Sequence, residues 1–545
     1  MPLNYIRHFG RLAACSLAIL CTPAGAVPPA STADARASVV MFHNDKSRTG
    51  WYRYEKALTP STVSSKTFGR IWSKDLDGDV TATPLCVVGM SSHGRRRDVV
   101  YVATNNDSVY ALDAVDGSVI WTRKLGPSLN SAQFMGTQFL GGHFGITSTP
   151  AIDLSTNTIY VAGLVQPAIK QLARAWALDL STGAVRPGWP VTIRGSYRRR
   201  AFDAGQILQR GALLLDHGYL YCPFGSRQDL PDWHGWVAAV DVRAPLHPVT
   251  MFTPDPDADG GGIWGVGGVT VDDAGAIYAV TGNGAYDLPS GGHDLGQCVL
   301  KLWIKSGKLT FSEKPHDYYI APNYQFLNDT DQDLGGSGAV VLPDLRGSST
   351  PHLLVTGGKD GLLYLIDRDN LGKIVQRTRI YGDPNDRYLT EIRATPAYFE
   401  DAQGNGYVVM TGYDPGPTGC KGVTVFRLTS TKGGSAQLVR VWTLPQALVQ
   451  PSVPEVSSGP PAPNNGGAGN SIVWVTEHFQ DGSGGLDAYD ASTGKPLFSS
   501  QDNPSRDKFD QCNSFTCPSV VDGRVFVGDG QGIVAYGLLP PTEAH

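Results

Sequence analysis

The chain contains no Cys-x-x-Cys-His stretch, no Cys-x-x-Cys pair and no Cys/His spacing of the zinc-finger kind. Covalently attached haem and a small zinc module are therefore excluded as organising elements. Positive charge is not in excess: 45 Lys and Arg stand against 50 Asp and Glu, a formal net charge of −5. That balance argues against a nucleic-acid partner, which would call for a basic face. Two short runs, Arg95-Arg96-Arg97 and Arg198-Arg199-Arg200, lie beside turn residues and read as solvated loop faces. Past the N-terminus no apolar run is long enough for a membrane span. Long stretches with a 3.6-residue apolar period are equally scarce.

What the chain has instead is turn chemistry. With 65 Gly and 37 Pro in 545 residues, many short strands joined by turns are expected. The first residues read differently. Arg7 and Arg11 precede a short apolar core and the small residues Ala24-Gly25-Ala26. This is the pattern of a secretory signal peptide over residues 1–26, cleaved near Ala26, which implies a periplasmic or secreted protein. Cleavage would remove Cys15 and Cys21 and leave Cys86, Cys222, Cys298, Cys420, Cys512 and Cys517. Export permits disulfides, and Cys512 is close enough in sequence to Cys517 to close a small loop, or one of them could reach Cys420. Structural thiols or disulfides are the expectation.

Residues 98–121 read DVVYVATNNDSVYALDAVDGSVIW. Val100 and Val102, then Val109 and Ala111, alternate as half-buried strands do. Asn105-Asn106-Asp107 and Asp116-Gly117 tolerate the backbone angles of tight turns. The phrase recurs in degraded form. Ile159-Tyr160-Val161 leads to Ala177-Leu178-Asp179, and Leu220-Tyr221-Cys222 to Ala239-Val240-Asp241. Further copies start at Ile277, Leu353, Tyr407, Val473 and Val525. Eight units, spaced by roughly 50 to 75 residues, point to a propeller. The last unit lacks its outer strand, and Phe68-Gly69-Arg70-Ile71-Trp72 looks like the missing piece. An all-β, eight-bladed β-propeller closed by an N-terminal strand is the expected fold. Residues 27–67 read as an N-terminal extension and 68–545 as one propeller domain. The Pro/Gly-rich stretch 446–470 reads as a mobile surface insertion.

The wording VYxxxxxxxVYALDxxxGxxxW resembles the tryptophan-docking repeat of pyrroloquinoline quinone (PQQ) propellers, the quinoprotein alcohol dehydrogenase-like family. The resemblance extends from about Phe42 to Leu539. Within it, GGGIWGVGGVTVDDAGAIYAVTGNGAYD looks like the segment supplying a Trp beneath the quinone and an Asn to calcium, here Trp264 and Asn283. The stretch FLNDTDQDLGGSGAVVLPD occupies the place of the loop with the catalytic Asp. Asp331 is the first choice for that role and Asp333 the second. Lys359 of GGKDGLLYLIDRDN matches the basic residue at the quinone oxygens. Asp229 is the candidate acidic calcium ligand, with Asp232 behind it, and Asp331 would also be near the ion.

What the resemblance implies is a PQQ- and calcium-dependent oxidoreductase acting on an alcohol or sugar hydroxyl. Calcium takes hard oxygen ligands and acts as a Lewis acid, and an ionised Asp acts as general base. The chain departs from the pattern where many members carry a disulfide between adjacent cysteines over the quinone. Its own stretch is FLGGHFGITSTPAID, in which Phe139, His143 or Phe144 would take that place. Without a haem motif, electrons would pass to an external acceptor.

Each candidate also has a structural reading. Trp264 is an ordinary packed blade residue, Asn283 suits a left-handed turn, and Lys359-Asp360-Gly361 is a common hairpin turn. Asp329, Asp331 and Asp333 alternate like an EF-hand loop, but Val340 stands where that loop needs Glu. Two other functions are open on the same ring. One is a cofactor-free scaffold binding protein or glycan. The other is a polysaccharide lyase or hydrolase using His143, His234, Tyr286, His293 or His316.

Overall fold

The computed structural model describes residues 32–541 except 93, 133–141, 228, 230–231, 245, 383–391, 413–421, 446–447, 449–450, 460–469, 480 and 512–514. The residues read as a signal peptide and its cleavage site, together with Phe139, Cys420 and Cys512, lie outside the described residues. Among the described residues no helix is long and apolar enough to cross a membrane.

Eight sheets follow one another along the chain as blades, antiparallel except that Trp51–Tyr52 pairs in parallel with the first strand of blade 7. Blade 1 comprises Leu85–Ser92, Arg95–Ala103, Ser108–Asp113 and Val119–Lys124. The first strands of blades 2 to 8 are Ala151–Asp153, Leu214–Asp216, Thr270–Val271, Val340–Val341, Ala397–Glu400, Glu455–Ser458 and Ser519–Val521. Blade 8 has three strands from the C-terminus, and Phe68–Asp75 pairs antiparallel with Gly532–Leu538 to complete it. The ring is closed as the repeats predicted.

Strand burial differs from the expected alternation. Val99 through Ala103 are buried at every position, as is the whole of Thr158–Val165. A middle strand is covered on both faces by the neighbouring blades, so both sets of side chains must be apolar or small. Alternation survives on outer strands such as Ala436–Thr443, where alternate positions face water over the first half.

The tryptophan at the end of the phrase joins blades. Trp121 of blade 1 lies on the turn of blade 2, and its indole nitrogen donates to Leu180 O at 2.9 Å. Trp72 does the same from blade 8 to blade 1, reaching Ala114 O at 3.3 Å, and Trp442 reaches Ala491 O in blade 7 at 2.9 Å. The turn glycine is required twice over. Gly183 has φ +68°, and a Cβ there would come within 2.5 Å of Trp121 Cε3. A side chain would meet both left-handed strain and the indole.

Residues 27–67 read as an N-terminal extension separate from the propeller domain, yet residues 39–55 bond to its blades. Val39 exchanges backbone hydrogen bonds with Cys86 of blade 1, and Val40 O accepts from Ile152 of blade 2. Lys46, Ser47, Thr49 and Gly50 carbonyls accept from Val271, Val341, Tyr398 and Val456, in blades 4 to 7. Tyr52 and Glu55 accept from Asp522 and Gly523 of blade 8. The fully buried Arg48 reaches blade 3, donating to Ala212 O at 3.3 Å and Leu213 O at 2.9 Å, and also to Val269 O and Phe42 O. This segment therefore makes one circuit inside the ring: its backbone meets blades 1, 2 and 4 to 7 in order, and the Arg48 side chain reaches back to blade 3. It satisfies polar groups on the first strands that would otherwise face a dry axis. A domain boundary at residue 68 cuts through this packing.

The expected surface insertion is corrected too. Within 446–470, Glu455–Ser458 is the buried first strand of blade 7, paired with Ser471–His478. Its short polar wording hides a strand because the inner face of a propeller is narrow and takes small residues. Cys86, Cys222, Cys298 and Cys517 are buried free thiols.

Gly183→Ala should lower stability by about 2–3 kcal/mol, from left-handed strain plus displacement of Trp121. Gly404 has φ +76° but open space around it, so Gly404→Ala should cost only about 1 kcal/mol. Urea denaturation of both variants checks the difference, and equal losses would remove the docking account.

Candidate functional site

Alternating strand direction decides which residues share an end of the ring. The turn between second and third strands and the connection to the next blade emerge on the same side. Asp229, Asn283 and Lys359 follow the second strands Tyr219–Ser226, Ile277–Val280 and Leu353–Gly357. Trp264 stands in the connection from blade 3 to blade 4, and Asp331 and Asp333 in that from blade 4 to blade 5. All six belong to one end.

Four of them are joined directly. Asp333 Oδ1 accepts the backbone N–H of Asn283 at 2.8 Å, and Asn283 Nδ2 donates to Asp331 Oδ1 at 2.8 Å. Lys359 Nζ lies 2.5 Å from Asp333 Oδ2 and 3.5 Å from Asp331 Oδ2. The two carboxylates differ in setting: the Asp333 side chain is 5 % exposed and that of Asp331 69 %. Burial alone would lower the pKa of Lys359, but Asp333 and Asp331 outweigh it and hold the ammonium above its ordinary value. Asp331 has φ +55°, a conformation Asp tolerates at modest cost.

Trp264 is fixed against the same group. A Cβ on Gly282 would come within 2.3 Å of Asp333 Oδ1 and 2.7 Å of Trp264 Cδ1. Gly225 and Gly262 also press their backbones on the indole, each with a notional Cβ at 2.5 Å. The indole nitrogen is buried without a hydrogen-bond partner. Asp229 is exposed as a residue, yet the protein around its carboxyl raises its pKa, and the charges of Asp333 and Asp331 add to the effect. Ser226 Oγ donates to it at 2.5 Å.

Two other sequence candidates stand elsewhere. Asp232 pairs with Arg200 at 2.7 Å and takes no part in this network. His143 lies in the short pair of Leu129–Asn130 and His143–Phe144, with Nδ1 2.9 Å from Ser128 Oγ. The residues considered for acid-base chemistry each have a partner outside that set. His234 Nδ1 is held by Asp255 O, Tyr286 by Tyr318, His293 by Glu313 and His316 by Asp317.

Sequence reading missed two members. Gln297 donates to Asn283 Oδ1 at 2.8 Å and Asn328 Oδ1 at 3.0 Å, while its own Oε1 accepts from Leu334 N at 2.8 Å. Arg210 donates to Trp264 O at 3.0 Å and lies 3.9 Å over the Phe515 ring. Burial, followed by the charge of Arg393, lowers its pKa to about 10. A lone Gln and a lone Arg carry no spacing signal, and only the ring brings them to the site.

Lys359→Met would leave the buried Asp333 carboxylate without its cation, at a cost of about 3 kcal/mol. Asp331→Asn, at an exposed position, should stay within about 0.5 kcal/mol. Guanidinium denaturation of the two variants reads the contrast, and a loss for Lys359→Met as small as that for Asp331→Asn would remove the pairing from the account of the site.

Known proteins place this geometry in context. A PQQ-repeat family model described as outer membrane protein assembly factor BamB matches residues 61–243. No curated protein matches the chain. Among solved structures, the quinohemoprotein alcohol dehydrogenase ADHIIG of Pseudomonas putida HK5 superposes with a TM-score of 0.60 at 16 % identity, over 94 % of this chain and 81 % of that one. The quinohemoprotein alcohol dehydrogenase of Comamonas testosteroni gives 0.57 at 16 %, covering 94 % and 83 %. A europium-containing methanol dehydrogenase gives 0.58 at 15 %, covering 91 % and 90 %. Repeat and architecture agree: the chain has the eight-bladed β-propeller fold of the PQQ-repeat, quinoprotein alcohol dehydrogenase-like proteins.

Proposed function

We propose that the protein is an exported quinoprotein oxidoreductase, using PQQ and calcium to oxidise an alcohol or sugar hydroxyl, with an external electron acceptor. The observation that carries this reading is the joining of Asn283, Asp331, Asp333 and Lys359 into one network against Trp264. The donor chemistry fits. A partly exposed indole clamped by glycine backbones suits a planar ring system. Lys359, Arg210 and Arg393 bring positive charge, which favours an anionic quinone. Asn283, Asp331 and Asp229 offer the hard oxygens that calcium prefers.

PQQ would supply an acceptor for two electrons, and calcium a Lewis acid. The chain's own residues divide the remaining work. Asp331 is the open carboxylate, so it is the group to take a proton from a substrate hydroxyl at Oδ2, while Oδ1 is held by Asn283 Nδ2. Asp333 is buried on Lys359 and acts by positioning the ammonium and the Asn283 backbone. Gln297 holds the Asn283 side-chain oxygen in place, as outer partners of metal ligands do. A second reading, a cofactor-free scaffold, is favoured by the likeness of residues 61–243 to the BamB model.

Titrating the protein with PQQ in calcium, followed by Trp fluorescence and quinone absorbance, separates the two. Saturable binding at micromolar or lower quinone, abolished by chelator and weakened at least about tenfold by Asn283→Ala, is expected. Asp331→Asn should retain the quinone but lose about 10²- to 10⁴-fold in kcat with an artificial acceptor. No binding at high micromolar quinone with calcium would leave the scaffold reading.

A further inference from the structure

The axial segment carries a second cluster that takes no part in the site above. His43, on the circuit inside the ring, meets Glu455 of blade 7 and Cys517, which stands just before the first strand of blade 8. All three side chains are buried, and their donor atoms lie within 4.8 Å of one another. His43 Nε2 is 3.9 Å from Glu455 Oε2, and Cys517 Sγ is 3.9 Å from the same oxygen.

One feature of His43 distinguishes this from ordinary polar packing. Its Nδ1 is 3.1 Å from Arg48 O, and a carbonyl can only accept, so the ring proton sits on Nδ1. Nε2 then carries a lone pair, and that atom is buried with no hydrogen-bond partner. The ring is also held flat against Phe42, with centroids 4.3 Å apart. The Pro454 carbonyl also lies near the ring. A histidine with one nitrogen fixed by a carbonyl and the other unpaired, 3.9 Å from a carboxylate oxygen and within 4.8 Å of a thiol, is arranged as metal-ligating histidines are. Asn44 adds to the cluster: its Nδ2 donates to Glu455 Oε1 at 2.5 Å, and its Oδ1 is another buried acceptor without a partner.

We propose that His43 Nε2, Glu455 Oε2 and Cys517 Sγ form a structural zinc site that fastens the N-terminal segment to blades 7 and 8. Mixed nitrogen, sulfur and oxygen donors suit a borderline-soft ion. Zinc bonds of about 2.0–2.3 Å in a tetrahedron place donor atoms about 3.3–3.7 Å apart, so the two 3.9 Å gaps to Glu455 Oε2 close by about half an ångström or less, and the His43-to-Cys517 pair, now within 4.8 Å, closes by at most about 1.3 Å. With the thiolate and the carboxylate, Zn²⁺ forms a unit of zero net charge, which can be buried without a counter-ion. Binding releases the thiol proton of Cys517 and, from the fraction that is protonated, the carboxyl proton of Glu455. The ligands are distant in sequence, so the site exists only once the ring has closed, and the ion is taken up on folding.

The test uses the full chain, produced with added zinc and dialysed exhaustively against metal-free buffer. One zinc per chain is expected. Refolding with Co²⁺ should give a thiolate-to-cobalt charge-transfer band that Cys517→Ser removes, and His43→Gln should weaken metal retention at least about tenfold. X-ray absorption at the zinc edge of the unchanged protein, which needs no variant to fold, should find one sulfur among light-atom neighbours. A natively folded protein that neither retains zinc nor develops the cobalt band overturns the proposal. So does a band that survives Cys517→Ser, or a zinc edge with no sulfur or several.

Discussion

The first strand of each blade is the edge of a sheet, and its polar backbone faces an axis too narrow to be freely solvated. That constraint organises the rest of this molecule. Residues 39–55 answer it by coiling once inside the ring and giving hydrogen bonds to or taking them from all eight blades, with the buried Arg48 serving several carbonyls at once. The same chain then crosses to the outside and supplies Phe68–Asp75 as the last strand of blade 8. The N-terminus thus closes the ring at its outer edge and fills it at its inner one.

A filled axis gives the candidate site a floor. Phe42 packs with Ala212, Val266, Ala394, Val453 and Cys517, residues that precede the first strands of five blades, and Phe515 rests on that layer. Arg210 stacks on Phe515 and holds the carbonyl of Trp264. Side chains from blades 3, 4 and 5 are therefore positioned on a rigid base. A rigid base lets a buried ion pair such as Lys359 with Asp333 keep its geometry, because loose pairs in low dielectric do not repay their desolvation. The zinc proposal and the quinone proposal stand on different residues.

Much of the site was legible because propeller motifs are local. Trp264, Asn283, Asp331 and Lys359 each sit in a short phrase with recognisable turn chemistry, and the ring brings those phrases to one end. Asp331 was ranked ahead of Asp333 by resemblance alone, since two aspartates two residues apart have the same chemistry until one is buried. Gln297, Arg210 and the cluster of His43, Glu455 and Cys517 had no signal at all. Their partners lie up to several hundred residues away, and no spacing rule covers such distances. Glu455 was read as part of a surface insertion, because Pro and Gly on both sides of a four-residue strand outweigh its own pattern.

Local sequence determined the things that depend on neighbours in the chain. These are the strand-turn-strand phrase, its eightfold repetition, the turn glycines that accept an indole, and the missing outer strand that Phe68–Asp75 supplies. Period-2 patterning and left-handed turns are set within a few residues, so they can be read there. Only the tertiary structure decided what lies at the axis, which of two aspartates is open to solvent, and which lone polar residues meet. Those outcomes depend on burial and on charge pairing between blades, and neither quantity exists until the ring has closed.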